Sequence, residues 1–326
     1  MSAWQVYFRS VFFLRLSFVT PWRRLFSVLQ AGRWWYSGRR QISDILLWTY
    51  ADRKKPGKGY SQPIPGNVRQ ISNSVRMQNM PEPASRKDTL FQTESVPEDF
   101  VFSERVVEVF DDMLDRSIPF YREVIRSTAR LLQASMGPQD HVVDLGCATG
   151  TTLLELTRLL PDQELQFVGV DNSSAMLEKA RLKSELYSKQ DIITFIEEDI
   201  TRLHRPETGA FLLNYTLQFI RPLLREDFLR RLYADLRPGG LLILAEKTIS
   251  PDARLNREFI EIYHQFKRER GYSELEIAKK REALENVLIP FSIDENKALL
   301  QRVGFTSIAT FFQWFNFAAF VAVKAS

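Results

Sequence analysis

Residues 141–172 read HVVDLGCATGTTLLELTRLLPDQELQFVGVDN, and their pattern decides the fold. The apolar run HVVDL ends at a glycine and reads as a short buried strand. TTLLELTRLL has helical spacing, and QFVGVD is a second strand ending in an acid. Beyond it, SAMLEKARLKSELY reads as a helix, ITFIEEDI as a strand and AFLLNYTLQF as another. REDFLRRLYADL is a helix stopped by RPGG, and the strand LLILAEKT follows. Strands alternating with helices predict an α/β fold, a mostly parallel sheet with helices on both faces. Upstream, residues 103–116 (SERVVEVFDDMLDR) place apolar side chains at 106, 107, 109, 110, 113 and 114. That spacing suits an amphipathic helix opened by Ser103. SIPFYREVIRSTARLLQ predicts a further helix with Pro119 in its first turn. Downstream, the charged stretch GYSELEIAKKREALEN (271–286) is a helical insert after the fifth strand. NKALLQRVGF then reads as a helix and FFQWFNFAAFVAVK as two closely spaced strands.

The 326 residues suffice for a sizeable core, and 44% hydrophobic with 26% charged residues is ordinary for a folded globular chain. The formal charge of +4 hides an asymmetry: residues 1–86 carry a net +11, so residues 87–326 carry −7. Three segments follow: a basic Trp/Arg-rich extension (1–52), a Pro/Gly/Ser-rich linker (53–86) and a catalytic domain (87–326). The first 43 residues hold seven arginines, no lysine and no acid, and five of the six tryptophans precede residue 50. Three readings stay open there: an organelle transit peptide, an interfacial membrane anchor, or a stretch without a folded role upstream of Met77 and Met80. Arginines interrupt every apolar run before one reaches the roughly 18–20 residues needed to cross a bilayer. The lone Cys147 excludes an intrachain disulfide, and a cytoplasmic location is expected, with an organelle as the alternative.

In open α/β sheets, ligands bind beyond the carboxyl ends of the strands, and polar residues recur there. Gly146 and Gly150 in DLGCATG allow a tight turn against a ligand, but the spacing departs from the dinucleotide fingerprint G-x-G-x-x-G. Asp171 ends the second strand, twenty-five residues past Gly146, where an acid accepts from both ribose hydroxyls. Asn172 and Ser173 are better placed than Asp171 to cap the next helix. Asp199 ends the third strand where it could accept from an adenine amino group, with Ile200 beside the ring, and Asn214 lies on the fourth. Together these residues describe an adenosine pocket.

The runs SERVVEVFDDMLDRSIP, DLGC, DNSSAM, LNYTLQF, FKRERGYSELEI, KREALENVL and WFNF resemble the carboxy-S-adenosyl-L-methionine synthase family, from about Arg86 to Lys324. The resemblance implies a Rossmann-like S-adenosylmethionine-methyltransferase fold with a seven-stranded sheet. It further implies that S-adenosylmethionine is a substrate, that prephenate gives up a carboxyl group to its methyl carbon, and that phenylpyruvate leaves. The product then serves a separate enzyme that builds the 5-oxyacetic acid group on tRNA wobble uridine. By the same resemblance, Tyr121, Gly146, Cys147, Ala148, Asp171, Asn172, Asp199, Ile200 and Asn214 contact the cofactor, and Arg281 holds the new carboxylate. A homodimer is implied as well. The family often has serine where this chain has Ala148, which leaves only a backbone N–H for that contact.

Other features carry less. Arg281 could instead be a solvated arginine paired with Glu285 one turn on. Cys147 reads as a small packing residue, because no His–Cys arrangement is evident. His264 is structural or borders the donor pocket; His141 and His204 lack metal-ligand spacing, so no metal is expected. The aromatic residues at 311–317 form the core of the last strands, and one of them could line the donor pocket. Two other functions compete. One is a small-molecule methyltransferase, although NYTLQF replaces the Asn/Asp-Pro-Pro-Tyr run of amino-group methylation. The other is a non-catalytic adenosine-binding or membrane-tethered module; direct tRNA binding fits poorly with an acidic body. Residues 86–326 alone are expected to keep turnover, whereas a tethered module would lose its function on removal of residues 1–85.

Overall fold

The computed structural model describes residues 87–88 and 104–326, all within one of the chain's two units. The extension, the linker and Ser103 lie outside the described residues. Eight strands run in chain order: β1 (His141–Leu145), β2 (Gln166–Asp171), β3 (Ile193–Glu197), β4 (Thr208–Asn214), β5 (Leu236–Ile249), β6 (Phe291–Ser292), β7 (Ser307–Trp314) and β8 (Phe317–Val323). The helices are α1 (Glu104–Ser117), α2 (Tyr121–Ser135), α3 (Thr151–Leu159), α4 (Ser174–Leu186), α5 (Pro222–Asp235), α6 (Ala253–Glu269), α7 (Glu274–Leu284) and α8 (Ile293–Val303). The sheet order is β3-β2-β1-β4-β5-β8-β7, parallel except where β8 runs against both its neighbours. These are the seven strands read from the sequence. The two-residue β6 pairs with the end of β5 off this path, and so short a strand carries no periodic signal.

Each face of the sheet is covered, as alternation along a strand requires. On one face Val143 and Leu145 of β1 join Phe228 and Leu232 of α5 and Leu299 and Val303 of α8. On the other, Val142 joins Ile125 and Leu132 of α2 and Leu153 and Leu156 of α3. Each fully buried side chain of this size contributes about 1.5–3 kcal/mol. The insert read at 271–286 is present as α7, with α6 preceding it.

Two local expectations are corrected. Pro119 precedes α2 rather than opening it, because Phe120 takes a left-handed conformation (φ 57°) and delays the helix to Tyr121. The run AFLLNYTLQF is not one strand: β4 stops at Asn214, Tyr215 turns left-handed (φ 60°), and residues 217–219 form a 3₁₀ turn. The cause is Glu246, whose buried carboxylate accepts from Leu217 N and Gln218 N at 2.9 and 3.0 Å. Burial pushes that carboxyl up to about 8, although Arg225 and these bonds pull the other way.

Arg225 of α5, 1% exposed, holds the same corner. Its guanidinium donates to the carbonyls of Ile220 (2.8 Å), Gln218 (3.2 Å) and Ile289 (2.6 Å) and stacks on Phe291 at 4.3 Å. The end of the insert is thereby pinned to the end of β4. Arg225→Met would remove the side-chain donor from the Ile220 and Ile289 carbonyls, each at about 1–3 kcal/mol, while Gln218 O keeps Ile289 N, so a stability loss on the order of 2 kcal/mol or more is expected in urea unfolding. A loss under about 1 kcal/mol would show that these bonds do not hold the corner.

Candidate active site

The carboxyl ends of β1, β2, β3 and β4 open on a cavity of about 690 Å³. Gly146, Ala148, Asp171, Asn172, Asp199, Ile200 and Asn214 line one side, and Arg281 of α7 lines the other. Tyr121 and Cys147 line an adjoining cavity of about 40 Å³ that shares Gly146, Ala148 and Asn214 with the first. The structure therefore brings together all ten residues singled out from the sequence.

The glycine turn is as tight as its sequence requires. Gly146 and Gly150 have φ of 75° and 71°. A Cβ on Gly146 would lie 2.7 Å from the Thr216 methyl, and one on Gly150 would lie 2.9 Å from the Phe195 ring. Ala148 is also left-handed (φ 46°), and its N–H donates to Asp171 Oδ2 at 2.9 Å. The N–H expected to be open for a ligand is thus engaged by Asp171. Asp171 Oδ1 accepts from Ser173 N at 2.9 Å, while Ser173 caps α4 by accepting from Met176 N. Over the turn, Asp111 of α1 accepts from Thr149 (2.6 Å) and Thr151 (2.8 Å) and pairs with Lys183 at 3.0 Å. Neither threonine nor Asp111 stood out in the sequence, because their link spans about forty residues.

Several buried polar atoms along these walls lack partners. Asp144, 2% exposed at the end of β1, has no partner for Oδ1, and neither has the Nδ2 of Asn214 beside it. Burial, then the charge of Asp171, pushes the Asp144 carboxyl up to about 7, against the opposing influence of Asn214. Asn316 Oδ1, in the turn between β7 and β8, is likewise unpartnered. Asp199 differs: its Oδ1 accepts from Thr201 N and Oγ1 at 2.9 and 2.7 Å, and these bonds hold its carboxyl below the usual range.

At the opposite end, α7 begins with a capping box between Ser273 and Glu276. Lys280 points inward to a buried Asp88 carboxylate, which also accepts from Tyr272 OH at 2.7 Å. Arg281, the next residue, lines the cavity and forms no ion pair among the described residues, so the pairing with Glu285 is not made. Lys247, Tyr263, His264 and Lys267 share this end of the cavity. Sequence reasoning missed Lys247 and Lys267; extending the strand-end rule to LLILAEKT would have found Lys247. His264 does border the cavity, and so does Phe317 among the aromatic residues at 311–317.

The remaining candidates fall into place. Cys147 is buried, its thiol is pushed up by burial, and its Sγ lies 2.8 Å from where a Gly169 Cβ would sit. His204 Nδ1 lies 2.8 Å from Asp235. Among the described residues no cluster of His, Cys, Asp or Glu is placed to hold a metal ion, and no helix is long and apolar enough to cross a membrane.

Asp144 makes the stability of the fold sensitive to pH. An unfolded aspartate titrates near 3.8 and folded Asp144 at about 7, so between these values the folded chain holds a proton that the unfolded chain has released. The stabilisation from this group is complete below the lower value and is lost as pH rises through the higher one. Relative to Asp144→Asn, the wild type is expected to lose on the order of 4 kcal/mol in urea unfolding across that window. Parallel pH profiles for the two proteins would show that Asp144 does not carry the proton.

The comparisons with known proteins agree with this geometry. A family model described as "Methyltransferase domain" matches residues 142–240. A carboxy-S-adenosyl-L-methionine synthase from Desulfotalea psychrophila is 63% identical over 239 residues, covering 73% of this chain and 98% of the relative. A second, from Wolinella succinogenes, is 46% identical with the same coverage. A solved structure described as a possible exported protein from Bordetella parapertussis matches with a TM-score of 0.50 at 19% identity, over 72% of this chain and 77% of that one, and shares the fold alone. With such identity over nearly the whole length of these relatives, and a methyltransferase-type sheet that gathers the motif residues at its strand ends, this chain belongs to the carboxy-S-adenosyl-L-methionine synthase family.

Proposed function

We propose that the chain transfers a carboxyl group from prephenate to the methyl carbon of S-adenosyl-L-methionine, giving carboxy-S-adenosyl-L-methionine and phenylpyruvate. The observation that carries this reading is the polarity of one cavity. Asp171 and Asp199 line one side, whereas Lys247 of β5, Lys267 of α6 and Arg281 of α7 line the other, where Glu285 is the one acid among the lining residues. The acidic side suits an adenosine ribose and a sulfonium-bearing, ammonium-bearing tail; the cationic side suits a dicarboxylate.

On this reading Asp171 and Asn172 hold the ribose, and Asp199 and Ile200 the adenine. Gly146, Cys147, Ala148, Asn214 and Tyr121 surround the methionine portion. Tyr121 is set by a 3.0 Å hydrogen bond shared with Thr152. An arginine beside a sulfonium methyl is repulsive, but beside a carboxymethyl group it forms a bidentate ion pair, so Arg281 favours product over starting material. The donor's carboxyl–ring bond breaks, its electron pair makes the ring aromatic, and the ring hydroxyl departs as hydroxide. That hydroxide takes a proton from the sulfonium methyl and becomes water, and the resulting ylide carbon bonds to the released carbon dioxide. The protein's work is orientation and exclusion of water, with no protein base required.

The catalytic domain at 87–326, a homodimer, a cytoplasmic location and use of the product in 5-oxyacetyl modification of tRNA wobble uridine belong to the same proposal, supported by the family. The full-length chain, incubated with S-adenosylmethionine and prephenate, is expected to give a product heavier by one carbon dioxide, with phenylpyruvate in equal amount. Loss of the charge-assisted bond, at about 1.5–3 kcal/mol, predicts that Arg281→Ala lowers this activity at least about tenfold. Carboxylation by the variant at the wild-type rate would remove Arg281 from the mechanism. S-adenosylhomocysteine as the only product would point to a methyltransferase instead.

A further inference from the structure

We propose that Lys247 and Lys267, one on each side of the Tyr263 ring, form a binding subsite for the carboxylate that the donor retains, separate from the carboxylate read by Arg281. This deepens the proposed function and rests on it. The ligand class is a cyclic or aryl 2-oxo acid.

The two lysines come from different elements, the end of β5 and the last turns of α6, yet they converge. Lys267 Nζ lies 4.5 Å from the Tyr263 ring centroid, and Lys247 Nζ lies 5.3 Å from it. Lys267 is only 5% exposed, and Lys247 is partly buried. Neither ammonium group forms a hydrogen bond or an ion pair among the described residues, although Lys247 N donates to Gln218 Oε1 at 3.1 Å. Two ammonium groups on one ring repel each other, and a ring quadrupole offsets only part of the cost of burying them.

The charges around them do not help. Lys280 and Arg281 face them from α7, and Lys280 is committed to Asp88. His264 lies on the same helix, and its carboxylate neighbour Glu261 is mostly exposed at 3.8 Å from the imidazole. Burial first, then Lys247, Lys280 and Arg281, drive the Lys267 ammonium down to about 7. The charges that act most strongly on Lys267 are positive, and a carboxylate between the two lysines would offset them.

The rest of the wall fits a ringed acid. Tyr263 and Phe317 pack edge to face at 5.0 Å and present flat apolar surface. Tyr263 is itself fixed by donating to Ser117 O at 2.9 Å. Asn316, 2% exposed, adds an acceptor without a donor, and its backbone carbonyl takes Thr248 N at 2.8 Å beside Lys247. Two lysines whose ammonium groups have no anionic partner and a flat aromatic wall therefore meet at one end of the cavity, and a bound carboxylate would restore the Lys267 charge.

The test uses the full-length chain with Lys247→Met, Lys267→Met and Lys267→Arg. Steady-state kinetics with prephenate varied at saturating S-adenosylmethionine should show the prephenate KM rising at least about tenfold in each Met variant. The kcat is expected to change less than about threefold, and S-adenosylmethionine binding by calorimetry less than about twofold, with Lys267→Arg recovering most of the loss. The Tm of the empty protein should hold or rise, because removing an unpaired buried charge relieves a cost. A prephenate KM within about twofold of wild type in both Met variants overturns the subsite. So does a lowered Tm with kcat falling and KM unchanged, which marks a structural role. If the wild type does not consume prephenate, the proposed function fails on its own, and calorimetry with phenylpyruvate still decides the subsite: binding by wild type but not by the Met variants supports it, and equal or absent binding overturns it.

Discussion

The Asp171 carboxylate is the interaction on which the site depends. The register of β1 with β2 sets Leu145 opposite Val170, so the glycine turn and Asp171 leave the sheet side by side. One carboxylate oxygen then takes Ala148 N from the turn and the other takes Ser173 N at the start of α4. Two loops from neighbouring strands are joined through one side chain, which offsets the cost of the left-handed Ala148. After burial, the same charge helps to push the Asp144 carboxyl above its usual range. Geometry and electrostatics on the strand side therefore share one source.

Deeply placed polar groups in this protein fall into two sets. Arg225, Glu246 and the Asp88–Lys280 pair are buried with partners, and each ties segments together. Asn214, Asn316, Lys247 and Lys267 are buried or half-buried around one cavity, and Asp144 around the small one adjoining it, with side-chain atoms unmatched. A fold selected for stability alone would not retain the second set, because an unpaired buried polar atom costs about 1–3 kcal/mol. Unpartnered atoms also occur away from the cavities, at Thr128 and Thr310, so it is the concentration of unmatched groups at the strand ends that marks the site.

Most of the sheet was legible because its signal is local. An apolar run, a glycine turn and a strand-end acid repeat within about thirty residues, and strand-end acids fall near the ligand by topology. The shape of the turn was legible too, down to Gly146 and Gly150. Engagement of Ala148 N by Asp171 was not, since it depends on the register between β1 and β2. Nor was the end of β4 at Asn214, because Glu246, which caps the following turn, lies nearly thirty residues away. Lys267 beside Tyr263 escaped for a further reason: a lysine on an amphipathic helix looks the same whether it faces water or a cavity. Only the packing of α6 against the end of β5 distinguishes these cases.

The charged insert has to hold a guanidinium steady across a cavity from the strands. Successive helical residues point about 100° apart, so Lys280 and Arg281 face different neighbours. Lys280 goes inward to Asp88, and Arg281 is left on the cavity wall. Asp88 also binds Tyr272, and Arg116 of α1 stacks on the Tyr272 ring at 3.9 Å while donating to Arg270 O at 2.9 Å. Arg116 further donates to Asp88 O, closing the knot. The helix laid over the glycine turn and the helix carrying Arg281 are thus fastened by one buried polar cluster. Because α1 is also bound at Asp111 to Thr149 and Thr151, a continuous path of bonds runs from the glycine turn to Arg281. A carboxylate-reading arginine on an insert of two helices is in this way referred back to the strand ends, and no covalent crosslink is needed to fix the spacing between the two sides of the cavity.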